Sequence, residues 1–148
     1  MAQKNIIDYV TIASAGNATD FGDLGDTAVA PKVGASDTRA LAGSVNVYGT
    51  NFNNKVEYVT IASTGNASDF GDLSTGRNLG GLGASNSVIC LMFGAGDASG
   101  SLAQIDEFTI ASTGNAVDFG DLRLVLSGGD FLNGGGGVAA SNSHGGLS

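Results

Sequence analysis

Ile7 to Leu24 reads IDYVTIASAGNATDFGDL, and the phrase returns twice, as VEYVTIASTGNASDFGDL over Val56 to Leu73 and IDEFTIASTGNAVDFGDL over Ile105 to Leu122. The copies align without gaps at a spacing of 49 residues, and 12 of the 18 positions are the same in all three. A fixed period of this length marks a repeat architecture. Within the phrase, Ile7 to Ile12 is rich in β-branched and aromatic residues, which pack well on a pleated surface and predict a strand. Ser14-Ala15-Gly16-Asn17 supplies the residues of a tight hairpin turn, and Thr19 to Leu24 predicts the returning strand. That second strand carries two Asp residues in every copy, as expected of a charged outer strand that resists edge-to-edge pairing. In a regular strand, Asp20 and Asp23 would point to opposite faces.

The stretches between the copies echo one another more weakly. Val33-Gly34-Ala35-Ser36-Asp37-Thr38 matches Leu82-Gly83-Ala84-Ser85-Asn86-Ser87, and Val138-Ala139-Ala140-Ser141-Asn142-Ser143 matches both. Strand-like runs follow the first two, at Ser44 to Gly49 and at Val88 to Gly94. Each unit is therefore expected to hold four short strands. Residues 1–148 read as a single repeat domain in which a C-terminal strand completes the unit begun at the N-terminus. Helical periodicity is absent, and 25 Gly among 148 residues would penalise helices heavily. The fold class expected is all-β, as three tandem four-stranded units.

Composition narrows the function classes. Hydrophobic residues reach 42% against 14% charged, the balance of a chain that folds. With no Trp, the core must come mostly from Val, Ile, Leu, Ala and Phe. A net charge of -8, with Lys and Arg scattered singly, argues against a nucleic-acid partner. No apolar run approaches membrane-spanning length, so membrane insertion is not expected, and the start Met1 to Asn5 lacks a signal-peptide pattern, which places assembly in a cytoplasm. The single Cys, Cys90, lies in the apolar run Val88 to Phe93 and reads as a buried, inert thiol.

No chemical motif survives inspection. Asp20-Phe21-Gly22 and its copies at Asp69 and Asp118 spell the DFG of protein kinases, but the catalytic loop and strand Lys that give that Asp its role have no counterpart. Asp20, Asp23 and Asp26, with Asp69, Asp72, Asp118 and Asp121, could offer oxygens to Ca²⁺, yet no EF-hand spacing occurs. His144 is the only His and has no nucleophile elbow beside it. The Gly-rich stretches at Gly80 to Gly83 and Gly94 to Asp97 lack the phosphate-loop pattern. Asn17 and Asn66 begin sequons that Val117 breaks in the third copy, so turn chemistry explains them better. No catalytic, cofactor-binding or metal residue is assigned, and the chain is read as no enzyme. The longer last spacer, Arg123 to Gly137, is the place expected for a partner contact.

Units with an apolar strand ending in Gly, a strand with Tyr, a turn and an aromatic before a Leu resemble kelch blades. Phe21, Phe70 and Phe119 stand where kelch prefers Trp, and the paired Gly is reduced to Tyr48-Gly49 and Phe93-Gly94. The resemblance implies a kelch-like β-propeller. Three blades do not close one, so the chain would be half of a six-bladed ring; a three-lobed β-trefoil or β-prism monomer is the alternative. The repeat wording, with the ending Ala140-Ser141-Asn142-Ser143-His144-Gly145-Gly146-Leu147, also resembles repeats in virion-associated proteins of marine (cyanobacterial) bacteriophages. That implies a structural tail, fibre or capsid-surface component in the virion, with homo-oligomer and other virion contacts. The alternative is a lectin-like adhesin binding host surface glycans through the triplicated turns.

Overall fold

The computed structural model describes residues 4–28, 31–43, 52–77, 81–94, 96–97 and 100–123. Every regular element among them is a strand: β1 (Lys4–Tyr9), β2 (Thr19–Ala28), β3 (Lys32–Ala35), β4 (Arg39–Gly43), β5 (Asn53–Thr60), β6 (Ser68–Arg77), β7 (Leu82–Ser85), β8 (Ile89–Phe93), β9 (Gly96–Asp97), β10 (Gly100–Ser101), β11 (Gln104–Thr109) and β12 (Val117–Asp121). The chain is all-β. Two four-stranded antiparallel sheets, β3-β4-β5-β6 and β7-β8-β11-β12, repeat one arrangement, and β1-β2 forms a two-stranded sheet matching the second half of each. β9 and β10 pair with each other in the connection from β8 to β11.

Register shows how the repeat phrase works. Ile7 pairs with Gly22 and Asp8 with Asp20, which leaves Phe21 as the extra residue of a β-bulge. Val56 with Gly71 and Glu57 with Asp69 leave Phe70 in the same role, and Ile105 with Gly120 and Asp106 with Asp118 leave Phe119. The bulge corrects the expectation for the carboxylates. Asp20 and Asp23 lie opposite Asp8 and Ile6, two residues apart on β1, so the register returns both to one face.

Two further expectations change. The connection between β1 and β2 is no tight hairpin but spans residues 10–18. A turn closes between Thr11 O and Ser14 N at 3.2 Å, and the chain then runs on before β2 begins. The strand-like run Ser44 to Gly49 lies outside the described residues, and the strand paired with β5 is β4, which ends at Gly43. Arg39–Gly43 takes the place of Ile89–Phe93, because Ala40 pairs with Val59 as Cys90 pairs with Phe108. The outer hairpins thus correspond at an offset of 50 residues, one more than the phrase. Ser36 Oγ accepts from the Thr38 and Arg39 amides, and Asn86 Oδ1 accepts from those of Val88 and Ile89, so these two side chains cap equivalent turns.

The core fills the space between the two four-stranded sheets. Leu41, Val56, Phe70 and Leu73 from one meet Cys90, Met92, Phe108 and Ile110 from the other. Cys90 and Met92 face Gly34 and Gly43, where no side chain stands in their way. The ring of Phe70 lies edge-on to Tyr58 in its own unit, at 5.7 Å between centroids, and to Phe108 in the next, at 5.8 Å.

Candidate functional site

The features that distinguish this chain lie at the junctions between sheets. β6 is an edge strand of its sheet, and the stretch between β11 and β12 runs along it. Gly114 N donates to Phe70 O and Ala116 N to Asp72 O, each at 2.8 Å, while Asn115 Oδ1 accepts from Asp72 N at 3.1 Å. One unit earlier the same atoms do the same work: Gly65 N to Phe21 O at 2.7 Å, Ala67 N to Asp23 O at 2.8 Å, and Asp23 N to Asn66 Oδ1 at 3.0 Å. Each edge is sealed by the following unit, which removes a template for pairing with another chain.

This contact explains the Gly of the DFG triplet. A Cβ on Gly22 would overlap the carbonyl oxygen of Gly65, and one on Gly71 that of Gly114. Both residues also hold φ near +150°, at +150° and +148°, where side chains are strained. The triplet and the Gly-Asn turn are two halves of one backbone joint. The residue pattern predicts a hairpin turn and edge-protecting Asp residues, and nothing local in it predicts their pairing across units. The signal available was that Gly and Asn stay fixed in all three copies while the residue before them varies, Ala15 against Thr64 and Thr113.

Charge is buried beside the core. Arg77 and Asp106 form a fully buried ion pair, with Ser74 Oγ donating to the other Asp106 oxygen. The Arg77 guanidinium also donates to the carbonyls of Met92, Gly94 and Gln104, and burial lowers its pKa against the pull of Asp106. At the equivalent position, Glu57 is buried, accepts from Gly25 N at 2.9 Å and pairs with Lys55 at 2.6 Å. Lys32 is 1% exposed, and its ammonium has no hydrogen-bond partner among the described residues. Burial, and secondarily the Arg77 charge, push its pKa down to about 8. Lys32 and Arg77, single cations 45 residues apart along the chain, are brought within electrostatic reach of each other by the fold.

Beneath β3 and β4, where the two-stranded sheet has no outer hairpin among the described residues, lies an apolar groove of ≈ 530 Å³. Ile6, Ile7, Leu24, Val33, Ala40 and Ala42 line it. Among the described residues, Glu57 is the only carboxylate on its wall.

The residues weighed for chemistry fall as follows. Cys90 is fully buried, and burial pushes its thiol up to about 12, so it presents no thiolate. Among the described residues, no three His, Cys, Asp or Glu side chains gather as a metal site. His144 and the spacer beyond Arg123 lie outside the described residues, as do Tyr48-Gly49 and the 138–148 ending. Asn66 and Asn115 are engaged between units, whereas Asn17 has no such partner among the described residues. No family model matches the chain, and no curated protein matches it.

Proposed function

We propose that this chain is a non-enzymatic structural protein of a phage particle, a tail, fibre or capsid-surface component. The observation that supports it is the repeated joint, in which the same three hydrogen bonds tie each unit to the one before. A fold so assembled devotes its identical residues to cohesion between units. Within this reading the units are blade-like, as in kelch proteins: a four-stranded antiparallel meander is the topology of a propeller blade. The glycan-binding alternative draws less support. Two of the three Gly-Asn turns it would use are spent on hydrogen bonds to a neighbouring strand, so the three lobes do not offer equal sites.

The test is quantitative mass spectrometry of gradient-purified particles of the virus that encodes the chain. Peptides spanning Ile105 to Arg123 should appear at the abundance of other structural proteins. Their confinement to infected-cell lysate, with none in particles, would remove the virion reading.

A further inference from the structure

The joint is made twice inside the chain, and the described residues also contain one unmatched copy of each half. At one end stands β12. No segment among the described residues runs along it as residues 113–116 run along β6, and a Cβ on Gly120 would meet nothing within 4 Å. At the other end stands the turn Gly16-Asn17-Ala18. It is exposed, and among the described residues Asn17 lacks the backbone amide that Asn66 and Asn115 hold.

The apolar residues follow the same order. Phe70, which has a unit packed above it, is 2% exposed; Phe119, which has none among the described residues, is 53% exposed. Phe70 rests on Phe108 of the next unit, and the residue equivalent to Phe108 at the other end is Val10, 57% exposed. Ile110, Ile61 and Ile12 rise from 1% to 44% to 99% exposed along the stack. Phe119 also has Glu107 where Phe21 and Phe70 have Tyr9 and Tyr58 edge-on. Its ring is left without the intra-unit partner of the other two.

We propose that the chain associates head to tail with a second copy of itself, the β12 edge of one copy receiving the Gly16-Asn17-Ala18 turn of the next. The junction repeats the two internal ones: Gly16 N to Phe119 O, Ala18 N to Asp121 O, Asp121 N to Asn17 Oδ1, and Phe119 against Val10. Such a contact uses different surfaces on the two partners, so it either closes a ring or extends as a filament. It goes beyond the virion reading, since it stands on the geometry of the joint alone.

Two end-blocked variants test it. Gly16→Pro with Asn17→Ala removes the amide donor and the side-chain acceptor of the turn, and Phe119→Asp blocks the strand edge. All of these positions are exposed, and circular dichroism with urea unfolding checks each variant's fold. In light scattering, the wild-type mass should rise above 14.6 kDa with concentration, whereas each variant alone should stay at 14.6 kDa. An equimolar mixture of the two variants should form a dimer of twice that mass, because each retains the half that the other lost. A wild type that stays monomeric at every concentration overturns the proposal, as do variants that assemble alone or a mixture that does not pair. A chain that assembles but is absent from particles loses only the virion reading; a monomer found in particles loses only this inference.

Discussion

Replacing Lys32 with Met should stabilise the protein, and by an amount that depends on pH. Lys32 is buried without a hydrogen-bond partner among the described residues, and its pKa is pushed from 10.5 to about 8. At about 1.4 kcal/mol per decade in acidity, holding the charged form in that place costs about 3 kcal/mol near neutral pH. Because the folded value is depressed, the folded state binds fewer protons than the unfolded chain above about pH 8. Stability therefore rises with pH through that region, and the cost is relieved in full only above 10.5. Cys90 acts in the opposite direction. Its thiol titrates at about 12 when folded against 9.0 ordinarily, so its contribution is present below pH 9 and lost between 9 and about 12. Urea unfolding of wild type and Lys32→Met at about pH 7 and about pH 9 separates the two, since Cys90 is common to both. The variant should be more stable by about 3 kcal/mol at the lower pH, with the gap narrowing by about 1 kcal/mol at the higher. A variant less stable than wild type, or a gap that does not change with pH, would refute the assignment of an uncompensated buried charge.

The remaining predictions concern the joint and the core. Gly71→Ala should lower unfolding stability by about 3 kcal/mol, from strain at positive φ and the loss of the bonds to Phe70 and Asp72. Gly16→Ala, at an open position, should change it by less than about 0.5 kcal/mol in dilute protein. Asn66→Ala should cost about 1 kcal/mol through its bond to Asp23 N, while Asn17→Ala should cost nothing measurable in the dilute monomer. Asp106→Asn should cost about 3 to 5 kcal/mol in the same unfolding assay, because it leaves Arg77 buried without its counter-charge. The Cys90 thiol should resist a disulfide reagent near pH 8 in native protein and react promptly in denaturant.

Much of this architecture is legible in the residues. The 49-residue period, the β-branched runs and the abundance of Gly are local signals, and they determine by themselves that the chain is a β repeat with strands close to those observed. Cys90 reads as buried for the same reason: an apolar run has one low-energy place to go. The inner strand at Arg39–Gly43 is not legible from the period, because the outer hairpins follow the phrase at a 50-residue offset, and a one-residue slip exchanges the two faces of a strand. Ser36 and Asn86 cap equivalent turns with different side chains, so similarity of letters could not show the slip.

What only the tertiary structure decided is which residues meet across units. The Gly of Asp-Phe-Gly is required by a carbonyl 43 residues away, the separation of Asp72 from the Asn115 that bonds it, and no local propensity reports such a contact. The Phe bulge, which returns two Asp residues to one face, is likewise a property of pairing with β1, β5 and β11 rather than of the strand alone. Arg77, Asp106 and Lys32 look like surface charges in one dimension because charge is normally solvated, and packing two sheets together buries them all the same. Periodicity and propensity act over a few residues and so can be read along the chain. Backbone joints, bulge register and charge burial depend on the approach of distant segments, and they exist only once those segments have packed.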